Sequence, residues 1–323
     1  MIEVAAMMNR REFSRCGLSV ASIAMLRQSL AKSGAAAERP DFEVRQSEID
    51  LVIPRDFKAY WRTEGRSSDA SVQTHTSRFK AIDRLEKAFE KVLKEAKDTV
   101  VDSDIPAVWS VYNMGYIVKT RESLFSIDLV HRRDAEFAPL LDFSLITHNH
   151  GDHWRPSLYG AMNSSHKTVI SNFLDNYGAT HWGGAKNDRG CGFTRAVKEF
   201  KMRDVTVRTA LVDHNSLLID FTTAFEIKIG GFTIYHTGDC ASLSKLKPSS
   251  VPDIWMVHPF CGVNVVKGAQ VLKPRLVALS HLNELAHAKG RARWTWANGL
   301  KVKERLAAKG TNAIVPLWGD RIS

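Results

Sequence analysis

The residues with the clearest capacity for chemistry lie in the stretch Thr147 to Trp154, THNHGDHW, where three histidines and an aspartate fall within six positions. The 323-residue chain contains only 12 histidines, so this is a strong local excess. A solvated turn favours other residue types and does not call for imidazole. Histidine nitrogen and carboxylate oxygen are donors for zinc-like ions. In a loop that leaves a strand, His148 and His150 can be directed at one ion while Asp152 and His153 reach a second.

Two metal ions need more donors than these four, and further candidates follow apolar runs later in the chain. They are His214 in ALVDHNS, Asp239 in YHTGDC and His281 in VALSHLNE. Each stands where a strand should give way to a loop, which is where functional groups are usually presented. Alternatives remain open: His181 competes with His214, and His258 and His287 compete with His281.

The motif HNHGDH resembles the HxHxDH signature of the metallo-β-lactamase superfamily, and His214, the Gly-Asp pair ending at Asp239 and His281 follow in that family's order. The resemblance covers roughly Ala107 to the C-terminus. It implies an α+β fold, a four-layer αββα sandwich with the metals at one edge of two facing sheets. The spacing is most similar to the branch that contains lactonases and phospholipase-D-like phosphodiesterases.

The resemblance also implies which residues bind which ion. The first ion would be bound by His148, His150 and His214, and the second by Asp152, His153 and His281. Asp239 would bridge the two ions. Asp128, which ends SLFSID, occupies the place of the family's early aspartate and would support the ligands from behind.

Hydrolysis is the chemistry that such a centre would support. Two nearby divalent ions can lower the pKa of a water and polarise a carbonyl or phosphoryl oxygen. Zinc is the expected metal, and mixed nitrogen and oxygen donors also accept manganese or iron. Asp239 would keep the ions close, and Asp152 could orient the water and accept its proton. Candidates for protonating a leaving group are His258, His287, Asn283 and Glu284.

The motif does not specify a substrate, because such centres serve esters, lactones and phosphodiesters alike. The chain has 45 basic and 35 acidic residues and a net charge of +10, which favours a small anionic substrate. The alternatives are a nucleic-acid phosphodiesterase of the same superfamily and a non-catalytic metal-binding scaffold. The basic residues are scattered and show no aromatic-basic pattern of an RNA-binding module, so nucleic acid is the less favoured partner.

Short apolar runs predict the strands that must position these residues. They include AVWS, YIVKT, SLFSID, LLDFSLIT, KTVISNF, VTVRTALV, AFEIKIG, FTIYHTG, DIWMVHPF, RLVALSH and NAIVPLW. Gly230-Gly231 predicts a hairpin turn, and a helical pattern lies around Ala292 to Ala308. The hydrolase domain is expected to span 106–323.

Residues 38–105 read as an N-terminal helical arm. In RFKAIDRLEKAFEKVLKEAKD, apolar residues recur at helical spacing, with Lys and Glu on the other face. The favoured interpretation is a helix docked on the main domain by its apolar stripe. A lid over the active site is the alternative.

Residues 1–37 resemble a twin-arginine export signal, because Arg10-Arg11 precedes a modest apolar run and small residues follow at 33–37. We therefore expect a periplasmic protein, the alternative being an amphipathic helix of a cytoplasmic one. A fusion of residues 1–37 to a folded reporter should reach the periplasm, and Arg10→Lys with Arg11→Lys should prevent it. Retention of the unmutated fusion in the cytoplasm would refute the export signal.

Two further classes are disfavoured by the sequence. The four cysteines show no CxxC spacing, which argues against a zinc ribbon and a dithiol redox motif. No stretch approaches the ~18 to 20 apolar residues of a transmembrane helix.

Overall fold

The computed structural model of the protein describes Tyr60 and residues 78–173, 191–192, 197–285 and 294–323. The proposed export segment, His181 and His287 lie outside these residues. Within them the chain forms four α-helices: α1 (Lys80–Asp98), α2 (Pro156–Ser164), α3 (Val265–Leu272) and α4 (Trp296–Ala307). None of these helices combines the length and apolar character needed to cross a membrane.

The first sheet contains six strands in chain order. They are β1 (Ala107–Ser110), β2 (Tyr116–Lys119), β3 (Leu124–Ile127), β4 (Phe143–Leu145), β5 (Thr168–Ile170) and β6 (Cys191–Gly192). The strands from β1 to β3 form an antiparallel meander, and those from β3 to β6 are parallel.

The second sheet contains seven strands, also in chain order. They are β7 (Glu199–Met202), β8 (Val205–Val212), β9 (Thr222–Ile229), β10 (Phe232–His236), β11 (Ile254–Val257), β12 (Leu276–Leu279) and β13 (Ala313–Ile314). The strands from β7 to β10 are antiparallel, with the expected hairpin at Gly230-Gly231, and those from β10 to β13 are parallel.

The two sheets face each other and share an apolar core. Successive side chains of a strand point to opposite faces of its sheet, so only every second one enters this shared core. In β11, Met256 lies in an apolar cluster shared by both sheets, whereas Trp255 points to the opposite face of its sheet and is buried in a second apolar cluster. Phe125 of the first sheet and Phe225 of the second lie in the shared cluster. Helix α3 covers Trp255 so closely that a Cβ at Gly268 would come within 2.6 Å of the indole.

Helices cover both outer faces of the sandwich. Helices α1 and α2 contact β2 and β5 of the first sheet, and α4 contacts β13 of the second. The four-layer αββα sandwich that the resemblance implied is confirmed.

Helix α1 is docked by its apolar stripe, as the favoured interpretation of the arm expects. Phe89 is fully buried, stacks on His131 at 4.0 Å between ring centroids and meets Phe137 edge-on at 5.2 Å. The buried carboxylate of Glu86 accepts hydrogen bonds from the Tyr60 hydroxyl at 2.6 Å and from Arg132. The ring contacts of Phe89 and the hydrogen bond from Arg132 tie the helix to the segment that follows β3.

The parallel arrangement brings the loops that carry the candidate donors to one edge. Parallel strands end at the same edge of a sheet, and β10, β11 and β12 end before Asp239, His258 and His281. Strand β8 runs in the same direction as β10, because both are antiparallel to β9, so His214 follows at this edge too.

Candidate metal centre

The structure brings together all seven residues that the sequence nominates as metal ligands. One group consists of His148, His150, His214 and Asp239, and a second of Asp152, His153 and His281. In each group, one nitrogen or oxygen atom per residue lies within 4.8 Å of those of the other members. These groups match the two implied ligand sets, with Asp239 placed beside the first.

Asp239 lies at the centre of the cluster. Its Oδ2 is 3.4 Å from Nε2 of His214, 3.6 Å from Nε2 of His281 and 3.9 Å from Nε2 of His148. Its Oδ1 is 3.3 Å from Nε2 of His153. One carboxylate therefore faces residues of both groups, which is the geometry required of a bridging ligand.

The second group is held together by Asp152. Its Oδ2 lies 3.0 Å from Nε2 of His281 and 3.7 Å from Nε2 of His153. The amide of Asn113 donates to the same oxygen at 3.2 Å and to the backbone carbonyl of Asp152 at 3.0 Å. Asp152 is thus oriented from both its side chain and its backbone.

Asp128 supports the histidine loop from behind, as the resemblance implies. Its Oδ1 accepts from the Thr147 N–H at 2.7 Å, and its Oδ2 accepts from the Thr147 hydroxyl at 2.7 Å and from Nδ1 of His153 at 2.8 Å. Since the hydroxyl proton is used in this way, Oγ1 of Thr147 accepts from Nδ1 of His148 at 2.9 Å. Both histidines thereby donate from Nδ1 and direct Nε2 at the centre, as histidine ligands of metals do.

Steric constraints explain why a glycine precedes Asp239. Gly238 has φ of +50°, and a Cβ there would lie 2.8 Å from Thr222 and 3.0 Å from Thr147. A larger residue would force apart the loops of the two sheets, which are also joined by the Thr223 N–H donating to the Thr147 carbonyl at 2.8 Å. Glycine therefore lets Asp239 approach the histidine loop.

Two features of the centre carry no signal in the sequence. His281 adopts φ of +58°, which is rare for a histidine, and its N–H donates to the Asn113 carbonyl at 3.1 Å. The ring of Phe221 lies 5.3 Å from that of His150, forming an apolar wall beside the first group. Asn113 and Phe221 are ordinary turn and core residue types, so only their positions show that they border the site.

Electrostatics differ among the donors. Burial lowers the pKa of His148 well below its usual value, with a further contribution from His153, so this imidazole is neutral. Burial opposes the ionisation of Asp239, but His153 and His281 outweigh it and lower the pKa of this carboxyl. Burial also opposes the charging of His153, but Asp239 and Asp152 outweigh it and raise the pKa of this ring, so a cation that binds here would displace a proton.

The donor set fits metal ions for a second reason. Nε2 of His153 lies 3.3 Å from Oδ1 of Asp239, and Nε2 of His214 lies 3.4 Å from its Oδ2. All three atoms Nε2 of His153, Nε2 of His214 and Oδ1 of Asp239 are buried, yet none makes a well-aligned hydrogen bond among the described residues. Burying a polar atom without a good partner costs about 1–3 kcal/mol. A cation bound between the imidazoles and the carboxylate would satisfy these atoms together.

The candidates for proton delivery occupy different surroundings. His258 lies beside the centre, in a further group with Asp239 and His281. Glu284 is directed to Tyr112, whose hydroxyl donates to its Oε1 at 2.8 Å, and Asn283 is fully buried. Glu284 belongs to none of the donor groups found among the described residues.

Comparison with solved structures shows which fold the chain adopts. A metallo hydrolase from the archaeon Ignicoccus hospitalis matches with a TM-score of 0.52 and 16% identity over 67% of this chain and 97% of the other. A protein from Veillonella parvula, named as a possible metal-dependent hydrolase, matches with a TM-score of 0.52 and 13% identity over 67% and 98%. An isothiocyanate hydrolase from Delia radicum gut bacteria matches at 0.50 and 15% over 67% and 98%.

The sequence comparisons add no relative, since no family model and no curated protein matches the chain. At these identities the structural likeness establishes the fold alone. Two facing sheets between helices, with the HNHGDH loop and the four donor loops of the second sheet at one edge, are the architecture that the motif implied. The chain therefore has the metallo-β-lactamase fold.

Proposed function

We propose that the protein is a metal-dependent hydrolase that uses two divalent ions to cleave an ester, lactone or phosphodiester of a small anionic substrate. The observation that carries the proposal is the convergence of seven donors with Asp239 at their centre, including buried nitrogen and oxygen atoms that make no well-aligned hydrogen bond among the described residues. In a cluster with only a structural role, these atoms would be expected to make hydrogen bonds, because buried polar groups normally do.

The residues of the chain have distinct tasks in this proposal. When bound, divalent ions acidify water and polarise a carbonyl or phosphoryl oxygen. Asp239 faces both groups and offsets their positive charge. Oδ2 of Asp152, oriented by Asn113, can take the proton of the attacking water. Phe221 shields His148 and His150 on one side.

The metal and substrate assignments follow from the donors and the charge. Five imidazoles and two carboxylates form the two groups, a mixture that suits zinc and also accepts manganese or iron. The net charge of +10 supports attraction of an anion. A nucleic-acid substrate gains no specific support from the described residues.

We expect the purified protein to carry close to two divalent ions per chain, measured by elemental analysis. It should hydrolyse at least one member of a panel comprising a phosphodiester, a phosphomonoester, a lactone, a thioester, a β-lactam and an isothiocyanate. Removal of the metal by a chelator should abolish this activity, and added zinc or manganese should restore it. The chelated protein without added metal serves as the control.

Two results would contradict the proposal. A metal-free protein that cannot be reconstituted would refute the ligand assignment. A protein that binds two ions but cleaves no member of the panel, before or after exchange of the metal, would favour the scaffold alternative.

A further inference from the structure

His258 is a histidine of the centre whose role the ligand sets leave open. It follows β11, and its ring lies parallel to that of His281, with 4.0 Å between centroids and an interplanar angle of 6°. The residue is only 5% exposed. Burial and this stacking hold the imidazole in one orientation at the edge of the second ligand group.

The hydrogen bonds of His258 determine which nitrogen carries its proton. The backbone N–H of Phe260 donates to Nδ1 at 3.3 Å, so Nδ1 is an acceptor and the proton of the neutral ring resides on Nε2. A ligand histidine has the reverse arrangement, as in His153, whose Nδ1 donates to Asp128 and leaves Nε2 bare. His258 lies near Asp239 and His281, and in this arrangement it presents an Nε2–H rather than a lone pair.

The same pair of features, an Nδ1 that accepts a backbone N–H and an Nε2 that donates, is found in His236 at the end of β10. The N–H of Gly238 donates to Nδ1 of His236 at 3.3 Å, and Nε2 of His236 then donates to the Met114 carbonyl at 3.0 Å. Nδ1 of His214 also receives an N–H, from the side-chain amide of Asn215 at 3.2 Å, whose Oδ1 accepts from the Leu217 and Leu218 N–H groups. Nε2 of His214 then faces Oδ2 of Asp239 at 3.4 Å, so in both His236 and His214 an acceptor lies near Nε2.

We propose that His258 is a hydrogen-bond donor whose Nε2–H binds an oxygen of the substrate, and that it is not a metal ligand. This inference rests on the proposed function. Among the described residues none accepts a hydrogen bond from this nitrogen, in contrast to Nε2 of His236. A donor fixed in a dry site stabilises the charge that develops on a substrate oxygen and needs no reorganisation.

Two variants test the donor directly. His258→Phe keeps a flat ring that can stack on His281 but has no N–H, and His258→Gln keeps an N–H donor without the ring. We expect His258→Phe to lower kcat/KM by about 10²- to 10³-fold. His258→Gln should stay within about tenfold of the wild type, a loss of roughly 1.4 kcal/mol. Thermal denaturation should show that both variants are folded.

The second measurement does not depend on turnover. Cobalt-substituted proteins are titrated with inorganic phosphate and with acetate, and binding is followed in the visible spectrum. His258→Phe should weaken the binding of at least one anion by about tenfold, since one hydrogen bond to a charged oxygen is lost. Metal content and the spectrum without anion should equal those of the wild type in both variants.

Three outcomes would overturn the inference. Loss of an ion or an altered cobalt spectrum in His258→Phe would identify a ligand. If His258→Phe and His258→Gln lose kcat/KM and anion affinity to the same extent, at unchanged metal content, the proposed hydrogen bond is refuted. Failure of the wild type to bind either anion would show that no oxygen reaches the donor. If the wild type cleaves no substrate but binds an anion through His258, the proposed function fails while the assignment of the donor stands.

Discussion

Replacing Asp239 by alanine should abolish hydrolysis and lower the metal content, while the chain remains folded. The carboxylate lies within 3.6 Å of nitrogens of His153, His214 and His281, so its removal takes a donor from both ligand groups. Lewis-acid catalysis contributes several kcal/mol, so we expect turnover to fall by roughly 10³-fold or more. Steady-state rates on the cleaved substrate and elemental analysis measure the two effects.

Folding should change little in this variant, because the core between the sheets consists of apolar side chains such as Phe225 and Met256 and lies away from the centre. Asp220→Ala is the matched control. It removes the same charge from a nearby loop, where Asp220 is paired with Lys245 at 2.7 Å and is half-exposed. An Asp239→Ala protein that hydrolyses as fast as Asp220→Ala would refute the bridging role.

Replacing Asp128 should weaken both metal binding and folding. Asp128→Ala leaves three buried donors without their acceptor: the Thr147 N–H, the Thr147 hydroxyl and Nδ1 of His153. Each donor left without an acceptor costs about 1–3 kcal/mol, so we expect the free energy of unfolding to fall by roughly 3 kcal/mol or more. Loss of such a supporting hydrogen bond typically lowers metal affinity by about 10- to 100-fold.

Asp128→Asn separates the two effects. Asparagine tolerates the φ of +44° found at this position, its oxygen can still accept from the Thr147 N–H, and the Thr147 hydroxyl can turn to accept from its amide nitrogen. That nitrogen cannot accept from His153, so metal affinity should fall as in Asp128→Ala, whereas the loss of stability should be smaller than in Asp128→Ala. Chemical denaturation and chelator competition measure the two quantities.

A buried carboxylate far from the centre provides the control for Asp128. Asp253 accepts from the Thr233 N–H at 2.8 Å and pairs with Arg275 at 2.8 Å in the second sheet. Asp253→Ala should reduce stability without changing metal affinity. Unchanged affinity in both Asp128 variants would show that the carboxylate does not hold the ligand loop.

The local pattern of the chain was sufficient to predict the strands and the histidine loop. Continuous apolar runs mark β11 and β12 because one face of each strand enters the core between the sheets and the other packs under helices. His148, His150, Asp152 and His153 were recognisable because ligands that are adjacent in sequence leave a dense signal. A hairpin at Gly230-Gly231 and a docked amphipathic α1 are local features of the same kind.

The choice among isolated histidines was not determined by the sequence. His258 and His281 both follow apolar strands, and nothing in their flanking residues distinguishes a ligand from a hydrogen-bond donor. The structure separates them through contacts made by other parts of the chain: Asp152 faces Nε2 of His281, whereas the Phe260 N–H occupies Nδ1 of His258. Protonation of an imidazole depends on its neighbours in space, and these depend on how parallel strands align at one edge.

The sequence by itself determined which residue types could bind metal and that they stand at strand ends, because both properties are local. Only the tertiary structure decided that Asn113 orients Asp152 and that Gly238 admits Asp239 to the histidine loop. It also decided the unusual backbone of His281, which is supported by the Asn113 carbonyl. These contacts join segments far apart in the chain, and their geometry exists only when the two sheets have packed together.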